Sequence, residues 1–141
     1  MDPFSVDAYT PSEIARRLQQ TSMSKCTLDP FRVLALSLLA GAFIALGAAF
    51  STVVTYDPAG MPAGLMRLLG GLAFCLGLIL VVVAGAELFT GNNLLVMACI
   101  DGLISARQLI QNWFVVYVGN FLGALGILVL MYLSGLWWQG D

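Results

Sequence analysis

Three long stretches of this chain contain no charged residue apart from one glutamate, and they constrain its fold more than any other feature. They cover residues 33–56, 68–100 (where Glu87 is the one charge) and 112–134. A membrane-spanning helix needs roughly 20 predominantly apolar residues, and each stretch provides them. Charged residues make up only 10% of the chain, against roughly 25% in soluble domains. The sequence therefore predicts an all-α integral membrane protein with three spans.

The second stretch is too long for one straight crossing. A helix over residues 68–100 would measure about 50 Å at about 1.5 Å per residue, whereas the hydrocarbon core is about 30 Å thick. Residues 87–93 have the sequence Glu-Leu-Phe-Thr-Gly-Asn-Asn, which favours helix poorly. We therefore expect a break near residues 87–93. Irregular backbone at membrane depth persists only against protein or a water-filled cavity, so the break indicates a lined pathway.

The first 30 residues are the only ordinary polar stretch, ahead of a transmembrane half-domain at residues 31–141. Thr10, Pro11 and Glu13 have the spacing of a helix start with a capping box. This pattern predicts a short amphipathic helix, either on the membrane surface or solvated without lipid contact. Four of the six basic residues precede the first span, which predicts a cytoplasmic N-terminus.

Several classes of function fit this composition poorly. The chain has no histidine, and its three cysteines lack metal-ligand spacing, so we expect neither a metal nor another cofactor. Without clustered Cys, Asp or Glu, an enzyme is disfavoured. The six basic residues form no patch for nucleic acid.

Motifs in the second and third spans match one known family. Residues 85–92 have the sequence Gly-Ala-Glu-Leu-Phe-Thr-Gly-Asn, and residues 61–78 and 108–125 add longer matches. Together they resemble the formate/nitrite transporter family, and the resemblance covers about residues 28–135. It implies an aquaporin-like fold of six helices in two inverted repeats, assembled as a homopentamer in the bacterial inner membrane. This chain resembles one repeat, the N-terminal half.

The resemblance implies roles for five residues around the break. It makes Leu88, Phe89 and Thr90 a loop that reaches into a pore. It places Phe74 and Leu78, together with Leu88 and Phe89, at apolar slits that narrow the pore, and it gives Thr90 contact with the permeant or with the family's pore histidine. An apolar slit excludes hydrated ions, because a bare carboxylate there faces a desolvation penalty of order tens of kcal/mol.

Donors near the slit are then needed to attract an anion. The Thr90 hydroxyl and the backbone N–H groups of residues 91–93 are the candidates, at the positive end of a half-helix. Thr90 could instead be an ordinary helix cap. We expect Glu87, Gly91 and Asn92 to support the loop, with the Glu87 carboxylate accepting hydrogen bonds from its backbone.

The third span carries residues suited to helix packing. Gly119 and Gly123 suit close helix approach within a subunit, and Asn112 and Asn120 suit interhelical hydrogen bonds. Aromatic residues towards the ends of the span are typical of interfacial belts. These are Trp113, Tyr117, Tyr132, Trp137 and Trp138.

The leading hypothesis is a passive channel for formate or a similar small monovalent anion, in contact with membrane lipid. Nitrite and hydrosulfide stay open as permeants. The family's second repeat, with its pore histidine, has no counterpart in these 141 residues. We expect a truncated product, an incomplete gene product or a half that pairs with another half. The alternative is a non-conducting half that acts as a structural or interaction protein.

Overall fold

The computed structural model describes residues 9–26, 28–56 and 60–135, and these contain helices and no strand. Three of the helices, α2, α3 and α6, are long and apolar enough to cross a membrane. The all-α fold with three spans and an interrupted second span is thereby confirmed. The helices are α1 (Pro11–Cys26), α2 (Pro30–Thr55), α3 (Ala63–Ala84), α4 (Phe89–Asn92), α5 (Leu95–Ile100) and α6 (Ala106–Leu133). Trp137 and Trp138 lie outside the described residues.

Helix α1 begins with the predicted capping box. The Thr10 backbone N–H donates to Glu13 Oε2 at 2.8 Å, and the Glu13 N–H donates to Thr10 Oγ1 at 3.4 Å. The hydrogen bond from the Thr10 N–H holds the pKa of Glu13 below its ordinary value. The helix also lies against the protein, because it packs on α5 and α6 and Gln19 donates to Asp101.

Helix α2 lies between α3 and α6 and makes the most extensive packing of the chain. Glycines allow both contacts. A Cβ on Gly41 would overlap the backbone of Asn120 in α6, and one on Gly47 would lie 2.8 Å from the backbone nitrogen of Gly77 in α3. Gly119 approaches Ser37 just as closely, so the predicted close packing at Gly119 occurs within the chain.

Helix α6 begins at Ala106, earlier than the predicted start at residue 112. Ser105 and Gln108 explain the difference, because their side chains and backbones form a second capping box that starts the helix there. Beside this start lies a small buried core where α5 meets α6. It consists of Leu95, Ala98, Ile104 and Leu109.

Candidate functional site

The second span is interrupted directly after Ala84. Gly85 adopts the left-handed conformation, with φ of 61° and ψ of 33°. Its N–H donates to Val82 O at 3.2 Å, and the N–H of Ala86 donates to Val81 O at 3.0 Å. This pair of bonds is the Schellman motif, which closes a helix and favours glycine at the left-handed position. The sequence placed the start of the break at residue 87. The helix ends two residues earlier, because Gly85 is the residue that terminates α3.

The chain then runs extended to Leu88, whose φ is −96° and ψ 133°, before α4 begins at Phe89. We call residues 85–94 the interrupting segment. Hydrogen bonds from its backbone to α2 and α6 hold the part of this segment around Leu88. The Glu87 N–H donates to Leu36 O of α2 at 3.2 Å, and the Phe89 N–H donates to Asn120 Oδ1 of α6 at 2.8 Å. These two N–H groups of the irregular backbone are therefore bonded to protein, as membrane depth requires.

The Glu87 carboxylate is buried and is paired with a lysine from α1. Lys25 Nζ lies 2.9 Å from Glu87 Oε2 and 2.9 Å from Asn92 Oδ1. The side chain of Glu87 is 6% exposed and that of Lys25 is 25% exposed. A lone carboxylate at such a place would be strongly disfavoured, and the lysine compensates it. The expected hydrogen bonds from the loop backbone to this carboxylate are replaced by the ion pair.

Asn92 is fully buried and connects three elements. Its Nδ2 donates to Asn112 Oδ1 at 2.9 Å, and its backbone carbonyl accepts from Trp113 Nε1 at 2.9 Å. Asn112 is therefore an interhelical partner, as its residue type predicts. Trp113 is half-buried and its indole N–H is used within the protein, while its place in an interfacial belt stays a prediction.

The apolar residues assigned to slits fall into two groups. Phe89 is half-buried and meets two α6 rings edge to face, Trp113 at 6.2 Å and Tyr117 at 5.6 Å between centroids. Leu88, next to it, is also half-buried. Phe74 and Leu78 lie one turn apart on α3, and 42% and 51% of their surfaces are exposed. These two residues share a face that the described chain leaves uncovered.

Thr90 lies inside α4 and is exposed. The N-cap of α4 is Leu88 and that of α5 is Leu94, so Thr90 caps neither helix. Its hydroxyl makes no hydrogen bond with any residue that the structure describes. The N–H groups of Asn92 and Asn93 are already bonded, to Leu88 O at 3.0 Å and Phe89 O at 3.1 Å. Two of the expected backbone donors are thus engaged, whereas the threonine hydroxyl is available.

Sequence reasoning missed Lys25 as part of this site. It is 62 residues from Glu87 in the chain, and no local motif connects the two. The feature of the sequence that pointed to a basic partner was Glu87 itself, because an acidic side chain within a span is usually paired. Six basic residues were candidates, and the sequence does not choose among them.

Comparison with known proteins places this architecture in a family. The family model described as formate/nitrite transporter matches residues 12–141. The formate channel FocA of Haemophilus influenzae is 43% identical over 128 residues, covering 91% of this chain and 45% of that protein. Its namesake in Escherichia coli strain K12 is 41% identical over 134 residues, covering 95% of this chain and 46% of that protein.

A solved structure shows the same fold. The pentameric formate channel with formate bound aligns with a TM-score of 0.68 at 38% identity, covering 79% of this chain and 44% of that one. The chain spans less than half the length of the relatives that it matches. Its span-length helices and its relatives agree: this is a multi-pass membrane protein that belongs to the formate/nitrite transporter family.

Proposed function

We propose that this chain forms the wall of a passive channel for formate or a closely similar monovalent anion, and that it transports rather than catalyses. The observation that carries the proposal is the identity of 41–43% to proteins named formate channels, over more than nine-tenths of this chain. The structural neighbour described with formate bound supports the same permeant. Nitrite and hydrosulfide are the other permeants that the sequence leaves open.

The geometry of the interrupting segment fits such a path. Leu88 and Phe89 offer apolar surface that disfavours a hydrated ion, and the free Thr90 hydroxyl offers a donor beside it. A permeant that sheds water at an apolar constriction needs such a donor, but only a weak one, because conduction requires release.

The ion pair between Lys25 and Glu87 removes an objection to an anion path. A bare carboxylate within the segment would repel an approaching anion. With the ammonium 2.9 Å away, the pair carries no net charge. Glu87 therefore holds the segment to α1 without an uncompensated negative charge beside the path.

Assembly and orientation follow the same reasoning. We propose a homopentamer in the bacterial inner membrane, since the structural neighbour is described as pentameric. We also propose a cytoplasmic N-terminus, because basic residues concentrate before the first span. These residues are Arg16, Arg17, Lys25 and Arg32. Lipid contacts the apolar faces that remain uncovered in the assembly.

A second candidate is a non-conducting half that serves a structural or interaction role. The observation in its favour is the uncovered apolar surface on α3 and α6. Phe74 and Leu78 on α3 are exposed, and Phe114 on α6 is 69% exposed. Such surface needs a cover, either lipid or further protein.

Flux into vesicles separates the two candidates. The full chain as its gene encodes it is reconstituted into vesicles, and formate uptake is followed against vesicles without protein. The channel proposal predicts formate uptake well above the empty vesicles, with sulfate excluded. Vesicles that pass neither formate nor nitrite nor hydrosulfide, while containing folded protein, would establish the non-conducting alternative.

A further inference from the structure

One side chain of α6 holds the extended part of the interrupting segment at two backbone points. Asn120 Oδ1 accepts the N–H of Phe89 at 2.8 Å, and Asn120 Nδ2 donates to the carbonyl of Glu87 at 2.9 Å. The same Nδ2 donates to the carbonyl of Ser37 in α2 at 2.8 Å. Both amide hydrogens and the amide oxygen are therefore used, and the side chain ties α2, α6 and the segment together.

The position of Asn120 depends on close contact between α2 and α6. Gly41 has no Cβ, and one added there would overlap the Asn120 backbone. Gly119, the residue before Asn120, makes the same kind of close approach to Ser37 in α2. With the helices this close, a side chain as short as asparagine reaches from α6 to both α2 and the segment.

The two backbone contacts flank a single residue, Leu88. Fixing the carbonyl before it and the N–H after it restrains its φ and ψ, which are −96° and 133°. An extended residue outside any sheet has no ladder to hold the peptide groups on either side of it. The Asn120 amide bonds the Glu87 carbonyl before Leu88 and the Phe89 N–H after it, as a neighbouring strand would.

We propose that Asn120 is a positioning residue: by fixing Leu88 and Phe89 it sets how large an anion the constriction passes. The inference rests on the proposed function, because it assigns selectivity to the loop of that same path. Its physical basis is that the backbone of Leu88 and Phe89 determines where these two apolar side chains lie. Asn120 controls that backbone from outside the path.

The first measurement is amide hydrogen exchange of the full chain in detergent. In N120L the Phe89 N–H loses its acceptor, so its exchange should speed up by about tenfold, as the loss of roughly one hydrogen bond implies. N120D keeps an oxygen that can accept this N–H but loses both Nδ2 donors, so its protection should fall between those of N120L and the wild type. Gln20→Leu is the control, because Gln20 lies on α1 away from the segment, and its side chain is exposed and makes no hydrogen bond with the described residues.

The second measurement is the ratio of acetate to formate flux in vesicles. This ratio does not depend on how much protein inserts, so a loss of folded protein alone leaves it unchanged. N120L should raise the ratio by at least about threefold, the equivalent of a barrier difference near 0.7 kcal/mol. N120D should fall between N120L and the wild type, and Gln20→Leu should leave the ratio as it is.

The outcomes separate this inference from the proposed function. Wild-type vesicles that pass no formate would refute the channel proposal, and with it the selectivity role. Faster Phe89 exchange in N120L with an unchanged flux ratio, in a protein that passes formate, would overturn this inference alone. If N120L does not fold, the ratio in N120D decides: a value equal to that of the wild type contradicts the positioning role.

Discussion

Removing Lys25 should destabilise the protein by leaving Glu87 charged and buried without a partner. The substitution is Lys25→Met, which keeps the length and apolar stem of the side chain. Breaking a buried ion pair from one side typically costs about 3–5 kcal/mol. Glu87 is 6% exposed but Lys25 is 25% exposed, so water already reaches the ammonium. We therefore expect a loss of about 2–3 kcal/mol, just below that range.

A second substitution tests the cause of this loss. Glu87→Gln removes the charge, and in the double variant with Lys25→Met no uncompensated charge is left. The double variant should therefore be more stable than Lys25→Met alone, by about 1 kcal/mol or more. This sign would be unexpected if Lys25 contributed only packing. In that case the effects of the two substitutions would simply add, and the double variant would be no more stable than Lys25→Met alone.

The assay is equilibrium unfolding in mixed micelles of a mild detergent and dodecyl sulfate, followed by far-ultraviolet circular dichroism. Arg107→Met is the matched control, because Arg107 is exposed and pairs with no carboxylate among the described residues. It should change the free energy of unfolding by no more than about 0.5 kcal/mol. If Lys25→Met behaves like Arg107→Met, or if the double variant is the least stable of the set, the reasoning about Glu87 is wrong.

Two further predictions concern local structure. Gly41→Ala should lower the free energy of unfolding by about 1–3 kcal/mol in the same micelle assay, because the new Cβ overlaps the Asn120 backbone. A Cβ added at Gly126 on α6 meets no atom of the described residues within 4 Å, so Gly126→Ala should be neutral or slightly stabilising; equal effects of the two would refute the close packing. The first turn of α1 should loosen in acid, because the folded state lowers the pKa of Glu13. The stability that this carboxylate contributes is fully present above the ordinary pKa of 4.5, and it is lost as the pH falls through the lowered pKa. Hydrogen exchange at the Thr10 N–H should show this loss, and a Glu13→Gln variant that keeps the same pH dependence would contradict it.

Features governed by local sequence were predictable here. The spans follow from the lack of charge, and the interruption follows from a stretch too long for one crossing. The capping box at Thr10 and Glu13 is a four-residue pattern, and it forms as the pattern predicts. Such features need no information about distant residues, because the interacting groups are neighbours in the chain.

Contacts between distant residues were predictable only by type. Asparagines within a span are expected to bond across helices, and Asn112 and Asn120 do so. Which groups they bond depends on how closely the helices approach, and this is decided by pairs such as Gly41 and Asn120, far apart in sequence. The choice of Lys25 for Glu87 is of the same kind. It depends on where α1 packs, which hydrophobic pattern alone does not specify.

Thr90 allows a direct test of whether a small anion passes beside the interrupting segment. Thr90→Val keeps the shape of the side chain but removes the free hydroxyl. If this donor helps the permeant shed water, its loss should cost about 1–3 kcal/mol on the barrier, or roughly five- to more than a hundredfold in flux.

The measurement is formate flux into vesicles that contain equal amounts of wild type, Thr90→Val and Thr90→Ser, all as the full chain that the gene encodes. We expect formate flux at least about fivefold slower through Thr90→Val and a milder effect in Thr90→Ser, which keeps the hydroxyl. Equal formate flux through wild type and Thr90→Val would contradict it.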